Sequence, residues 1–180
     1  KELERLLIVK KFDPNITLRE LFYKTHKLFS VVATNIDTQK SVIFDHIHFP
    51  ELSVVKAVRM SAALPGIFCP IKYQNKVYVD GSISNHFPIN IFPEDQQIGF
   101  LLEKKEKKNV LIGNIFEYII TIVNIMMKHM NTTITKNTII LPCDLEMTDF
   151  NCNINAIKNN IKPAYESTLM WFNKDSAPCI

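Results

Sequence analysis

The chain has 180 residues, 47% of them apolar, with a formal net charge of +3. This is enough apolar material for a sizeable core, in one domain or a large part of one, and it excludes intrinsic disorder. The lysines are scattered among aspartates and glutamates and form no basic face, which argues against a nucleic-acid partner.

In chain order, "KELERLL" spaces Leu3, Leu6 and Leu7 as a helix does. Neither an initiator methionine nor a signal-peptide pattern precedes it, so the sequence reads as starting within a longer protein. "NITLRELFYKTHK" carries Thr17 with Glu20 three residues on, a capping box that predicts a helix from about Leu18 to about Thr25. "KLFSVVATN" and "KSVIFDHIHF" read as two neighbouring strands joined by "IDTQK". "ELSVVKAVRMSAALPG" places Val54, Val55, Ala57, Val58, Ser61 and Ala62 on one helical face, with a stop at Pro65 and Gly66. "IKYQNKVYV" reads as a hairpin around Gln74, Asn75 and Lys76.

"VLIGNIFEYIITIVNIMMK" is apolar enough to suggest a membrane span, but Asn114, Glu117, Thr121, Asn124 and Lys128 form one polar stripe. A carboxylate such as Glu117 at mid-bilayer would cost about 2.5–3.5 kcal/mol, and the run is short, so a core helix with its stripe at water is expected. "TIILPC" predicts a further strand, and "INAIKNNIKPAYESTLMWF" a final helical region interrupted at Pro163. Strands alternating with helices indicate an α/β layered fold.

Among residues able to do chemistry, Asp80 ends the apolar run Val77–Tyr78–Val79 and is followed by Gly81. It is therefore expected at a strand's end, where α/β folds place their sites, although Asp-Gly is also a common turn dipeptide. Ser61 is expected to be a small core residue. His46 and His48 are expected on one side of a strand, exposed to solvent, with no third ligand at metal spacing. Cys69, before Pro70, is expected to be a buried thiol. The four cysteines show neither CxxC spacing nor disulfide-scaffold density, which suits a reducing compartment, so an intracellular location, cytoplasmic or at a membrane periphery, is expected.

Read together, "AVRMSAALPGIFCPI" and "KVYVDGSISNHFPI" resemble the patatin-like phospholipase family, whose members carry an A-x-x-A-S-x-A-x-P-x-x-F run followed by a D-G-G/A-x-x-x-N-x-P element. "TLRELFYKTHKLFSVVATNIDTQKSVIF" resembles the segment before that run, and "TIILPCDLEMTDFNCN" resembles the family's late strand with its following Asp-Phe. The resemblance implies a three-layer α/β/α fold and a serine–aspartate dyad that hydrolyses lipid or phospholipid acyl esters. The aspartate of the Asp-Gly element, Asp80 by position, serves the nucleophile without a histidine. It also implies contact with a lipid surface and no requirement for metal or cofactor. The lysines of "EKKEKKN", read as a solvated loop, are candidates to meet anionic headgroups.

The family's nucleophile lies in G-x-S-x-G and its oxyanion hole in a glycine-rich loop upstream of it. The four glycines, Gly66, Gly81, Gly99 and Gly113, cannot build either. The 180 residues are therefore expected to be the C-terminal part of the catalytic domain, inactive and poorly soluble alone. The alternative is a non-catalytic lipid- or protein-binding domain of the same fold. Ser82 stands where Gly or Ala is usual, and His86 where asparagine is usual. Ser82 or Ser84 could be combined with His86 and Asp80 into a triad, but members so close in sequence seldom converge and no strained elbow presents either serine. His86 is instead expected to make a loop hydrogen bond, and Asn85 to take over part of the missing asparagine's work.

Overall fold

The computed structural model describes residues 1–104, 112–129, 133–145 and 153–174. The chain divides into two compact units, one of Lys1–Pro88 with Ile112–Asn131, the other of Ile89–Leu111 with Thr132–Ile180. Both mix helices with strands, as expected.

In the first unit α1 (Glu2–Val9) and α2 (Leu18–Thr25) lead into β1 (Val31–Asn35) and β2 (Lys40–Phe44). α3 (Val54–Ser61), β3 (Ile71–Tyr73), β4 (Lys76–Asp80) and later α4 (Ile115–His129) complete it. The capping box forms as read: Thr17 N–H donates to Glu20 Oε2 at 2.9 Å, and Glu20 N–H to Thr17 Oγ1 at 3.2 Å. The four strands run in the order β2-β1-β4-β3, every pair antiparallel, with Ala33 opposite Asp80 and Asn35 opposite Tyr78. β1 is central and buried from Val32 to Asn35, while outer β2 alternates and buries Phe44. Gln74 and Asn75 both have positive φ, the type I′ geometry whose twist matches that of the strands it joins.

The core gathers Ile16, Leu18, Ala33, Phe44, Leu52, Ala57, Met60 and Tyr78. Phe44 meets Tyr78 edge-on, with ring centroids 5.1 Å apart. α3 ends at Ser61, before Pro65, and buries Val54, Ala57 and Met60, so the inward face begins as read from sequence but continues through Met60, leaving Ser61 partly covered and Ala62 exposed. Cys69 is exposed rather than buried, because it follows α3 in an irregular segment beyond the core.

The strand expected through His46 and His48 ends at Phe44. Asp45 stops it: its Oδ1 accepts N–H groups from Ile47 at 2.9 Å and His48 at 2.7 Å, offering the backbone a turn in place of a ladder. The two imidazoles therefore do not share a strand face. His46 stacks on Phe22 with centroids 3.9 Å apart, and exposed His48 turns Nδ1 to Asp45 Oδ2 at 2.8 Å. Burial pushes the Asp45 carboxyl upward, but the backbone N–H and imidazole of His48, with the Ile47 N–H, outweigh it and hold the group below its ordinary value. The stability this contributes is complete above the unfolded-state value of about 3.9 and is lost as pH falls through the lower folded-state value. Asp45→Asn should thus cost about 1 kcal/mol at pH 7, a gap that narrows towards pH 3, as read by urea titrations at both pH values.

α4 departs from the expected core helix. Ile120 is its only buried side chain among those described, while Ile115, Tyr118, Ile119, Ile122, Ile125 and Met126 are exposed. These six recur at steps of one, three and four, so the broad apolar face looks outward instead of into the core. Among the described residues no helix is long and apolar enough to cross a membrane.

In the second unit β5 (Gly99–Lys104) lies parallel to β6 (Thr138–Cys143), in register from Gly99 opposite Thr138 to Lys104 opposite Cys143, and α5 (Ile154–Lys174) packs on β6. β6 is the strand predicted from "TIILPC". α5 runs unbroken through Pro163. Full turns on both sides and packing on β6 outweigh the one missing N–H, so the expected interruption does not occur. One stripe of α5, Ile154, Ile157, Ile161, Tyr165 and Leu169, is exposed along most of its length. Residues 105–109 of the lysine-rich run and Asp149–Phe150 lie outside the described residues.

Candidate active site at the Asp-Gly turn

Asp80 is the last residue of β4, and its backbone is held from two sides. Its N–H donates to Ala63 O at 3.0 Å, just past the end of α3. Its carbonyl accepts from Thr34 Oγ1 at 2.7 Å, on the neighbouring strand β1. Thr34 is buried, and its hydroxyl also lies 2.8 Å from Ser84 Oγ, so one side chain ties the strand end to the turn beyond it. Neither Thr34 nor Ser84 was singled out for this role by the sequence, because the partners lie 46 and 50 residues apart.

After Asp80 the chain makes a 3₁₀ turn over Gly81–Ile83, which Asp80 itself caps. Asp80 Oδ1 accepts from Ser82 N–H at 2.9 Å and from Ser82 Oγ–H at 2.6 Å. The second bond is short, as hydroxyl-to-carboxylate bonds are. Ser84 and Asn85 N–H close the turn on Gly81 O at 3.1 and 2.9 Å. Oδ2 makes no hydrogen bond to any described residue. One carboxylate oxygen is therefore fixed while the other keeps its lone pairs, an arrangement suited to orienting a hydroxyl or accepting its proton.

Gly81 is needed for space rather than for turning. Its φ is not positive, but an added Cβ would stand 2.2 Å from Val32 O of β1. Ser82 likewise has no positive φ, so replacing the more usual small residue puts no left-handed strain on the backbone.

His86 does not make the loop hydrogen bond expected of it. Its Nδ1 is enclosed and has no partner among the described residues, because the turn is already closed by backbone bonds to Gly81 O. Asn85 joins that closure through its backbone N–H. Among the described residues no imidazole bridges Asp80 to a serine: the Ser82 hydroxyl meets the carboxylate directly, which dismantles a Ser82–His86–Asp80 relay. Among the described residues no cluster of His, Cys, Asp or Glu could hold a metal ion.

Thr34→Val should test how the strand end is held. It removes the bond to the Asp80 carbonyl and leaves Ser84 Oγ without that partner, at an expected cost of about 1–3 kcal/mol, measurable as a lowered urea midpoint.

The mixed α/β architecture is that of known patatin-like folds: a crystal structure of VipD from Legionella pneumophila aligns with 90% of this chain and 36% of its own, with a TM-score of 0.63 at 16% identity. The family model described as patatin-like phospholipase matches residues 1–93, a span that includes the whole Asp-Gly turn. The chain belongs to the patatin-like phospholipase family. It is 34% identical over 164 residues to the probable lipid hydrolase 463L of Invertebrate iridescent virus 6, covering 84% of this chain and 54% of that protein. It is 29% identical over 131 residues to an uncharacterized protein of Acanthamoeba polyphaga mimivirus, covering 68% of this chain and 43% of the relative. The chain thus spans about half the length of the curated relatives it matches.

Proposed function

We propose that these 180 residues are the C-terminal part of a patatin-like catalytic domain whose complete protein hydrolyses lipid acyl esters through a serine–aspartate dyad. Asp80 is the aspartate of that dyad, and the serine comes from a part of the protein outside this chain. One observation carries the reading: the Asp80 carboxylate, at the end of β4, has Oδ1 fixed by Ser82 while Oδ2 has no hydrogen-bonding partner among the described residues. The shortage of glycines able to frame a G-x-S-x-G serine, and the half-length match to the viral lipid hydrolase, support placing the nucleophile elsewhere.

In the proposed reaction the serine hydroxyl attacks the ester carbonyl carbon as Asp80 Oδ2 takes its proton. The tetrahedral intermediate collapses to an acyl-serine with release of the alcohol, which leaves with the proton Asp80 had taken. Water, losing a proton to the regenerated carboxylate, attacks the acyl carbon, and the serine oxygen departs with that proton as the fatty acid is freed. Backbone N–H donors from the missing part would hold the oxyanion. By itself the chain is inactive in this reading, because it has no G-x-S-x-G elbow to present a serine to the ester. Exposed apolar stripes on α4 and α5 support, for the complete protein, contact with lipid or with the remainder of the domain.

The test is to express the protein with its upstream coding sequence, label it with a fluorophosphonate, and compare esterase turnover with that of Asp80→Asn. Labelling at an upstream G-x-S-x-G serine, together with turnover that depends on Asp80, is expected. An upstream sequence without that motif, unlabelled yet binding liposomes, would replace the enzyme reading with a binding domain.

A further inference from the structure

Thr34 brings a single hydroxyl to two contacts, the Asp80 carbonyl at 2.7 Å and Ser84 Oγ at 2.8 Å. A hydroxyl has one hydrogen to give, and a carbonyl oxygen can only accept. The Thr34 proton therefore goes to Asp80, and the Ser84 hydroxyl must be the donor to Thr34. The chain runs one way, from Ser84 to Thr34 to the Asp80 carbonyl. Thr34 is only 6% exposed, so its oxygen relies on Ser84 for a donor rather than on bulk water. Donors in line polarise one another, and the bond from Ser84 strengthens the one that Thr34 makes to Asp80.

This chain reaches the part of Asp80 that Ser82 does not. Ser82 holds Oδ1, Ala63 O accepts the Asp80 N–H at 3.0 Å, and Thr34 secures the carbonyl. Ser84 is itself tied to the turn, its N–H donating to Gly81 O at 3.1 Å, so the bonds close a ring through Asp80, Gly81, Ser84 and Thr34. Aim matters here, because a misplacement of about 1 Å can cost about 10²-fold in rate.

We propose that Ser84 is a positioning residue for the Asp80 base: acting through Thr34, its hydroxyl fixes the backbone from which the carboxylate is aimed. The catalytic consequence rests on the dyad reading; the tether does not. The same proton count gives Ser84 no part as a nucleophile, since its hydrogen is directed at Thr34 and not at a base.

The experiment uses the complete protein, with turnover counted per fluorophosphonate-labelled site so that unfolded molecules do not enter. Ser84→Thr and Ser84→Val have the same shape and differ only in the hydroxyl, and Ser84 is only partly buried, which leaves room for the added methyl. Ser84→Val should lower kcat about tenfold with KM nearly unchanged, while Ser84→Thr keeps the parent value. Thr34→Val should lower kcat too, and adding Ser84→Val to it should lower it no further, as two links of one chain require. Amide exchange at Asp80 should quicken in Ser84→Val by more than at Leu18, whose N–H donates to Leu52 O elsewhere in the same unit. Parental kcat in Ser84→Val, equal losses for Thr and Val at this position, or additive losses with Thr34→Val would each overturn the positioning role. Turnover that survives Asp80→Asn, or an unlabelled protein, would instead remove the dyad and the positioning role with it, leaving amide exchange to decide the tether alone. Exchange at Asp80 indifferent to Ser84→Val would sink the tether and leave the assignment of Asp80 standing.

Discussion

Asp80→Asn is expected to lower ester hydrolysis by the complete protein about 10²- to 10⁴-fold, the range for removing a general base. The substitution separates chemistry from folding because of what Oδ1 does. An asparagine carbonyl still accepts Ser82 N–H and Ser82 Oγ–H, so the cap on the 3₁₀ turn persists. What disappears is the second oxygen, whose place is taken by an amide nitrogen that donates and cannot take a proton. KM should therefore change little while kcat falls, and the urea midpoint should stay near that of the parent. Undiminished turnover would remove Asp80 from the dyad.

Gly81→Ala should act on the fold itself. The obstacle 2.2 Å from the added Cβ is the carbonyl oxygen of Val32, part of central strand β1, and it cannot swing aside as a side-chain tip can. Either β1 and β4 separate next to the Ala33–Asp80 pair or the turn shifts away from Asp80. A loss of about 3 kcal/mol is expected, the upper end for overpacking, visible in urea unfolding of the chain. In the complete protein, turnover should fall as well, since Asp80 is aimed by the turn that the methyl displaces. An unchanged midpoint would show that the sheet yields at no cost there.

The parts of this structure legible in the sequence are those fixed by neighbours in the chain. Thr17 and Glu20 announce α2 because both halves of the capping box lie within one turn. The β3–β4 hairpin follows from a polar Gln74–Asn75 pair, its asparagine tolerant of positive φ, between two short β-rich runs. Contacts closed from afar were not legible. Thr34 reaches Asp80 across 46 residues, and Gly81 is required by β1, whereas the local pattern suggested only a turn. Asp45 ended a strand that β-branched and aromatic neighbours favoured, because its carboxylate captured two backbone N–H groups. Pro163 misled in the opposite direction, its local penalty outweighed by packing along α5. β5 went unread because "GFLLEK" runs straight into lysines, without turn residues to bound its C-terminal end. The expected placement of Asp80 at a strand end came out correctly, although the rule behind it concerns parallel sheets and β4 runs antiparallel to both neighbours.

The short bond from Ser82 makes the Asp80 carboxylate the keystone of its turn, and the proposed dyad would make the same group a reagent. A truncating change such as Asp80→Ala would silence the protein in any genetic screen, yet a collapsed loop and a lost proton acceptor would leave the same phenotype. Only replacements that preserve an acceptor at Oδ1 can assign blame, so a mutational survey of this family member should be read through its asparagine column and not its alanine one.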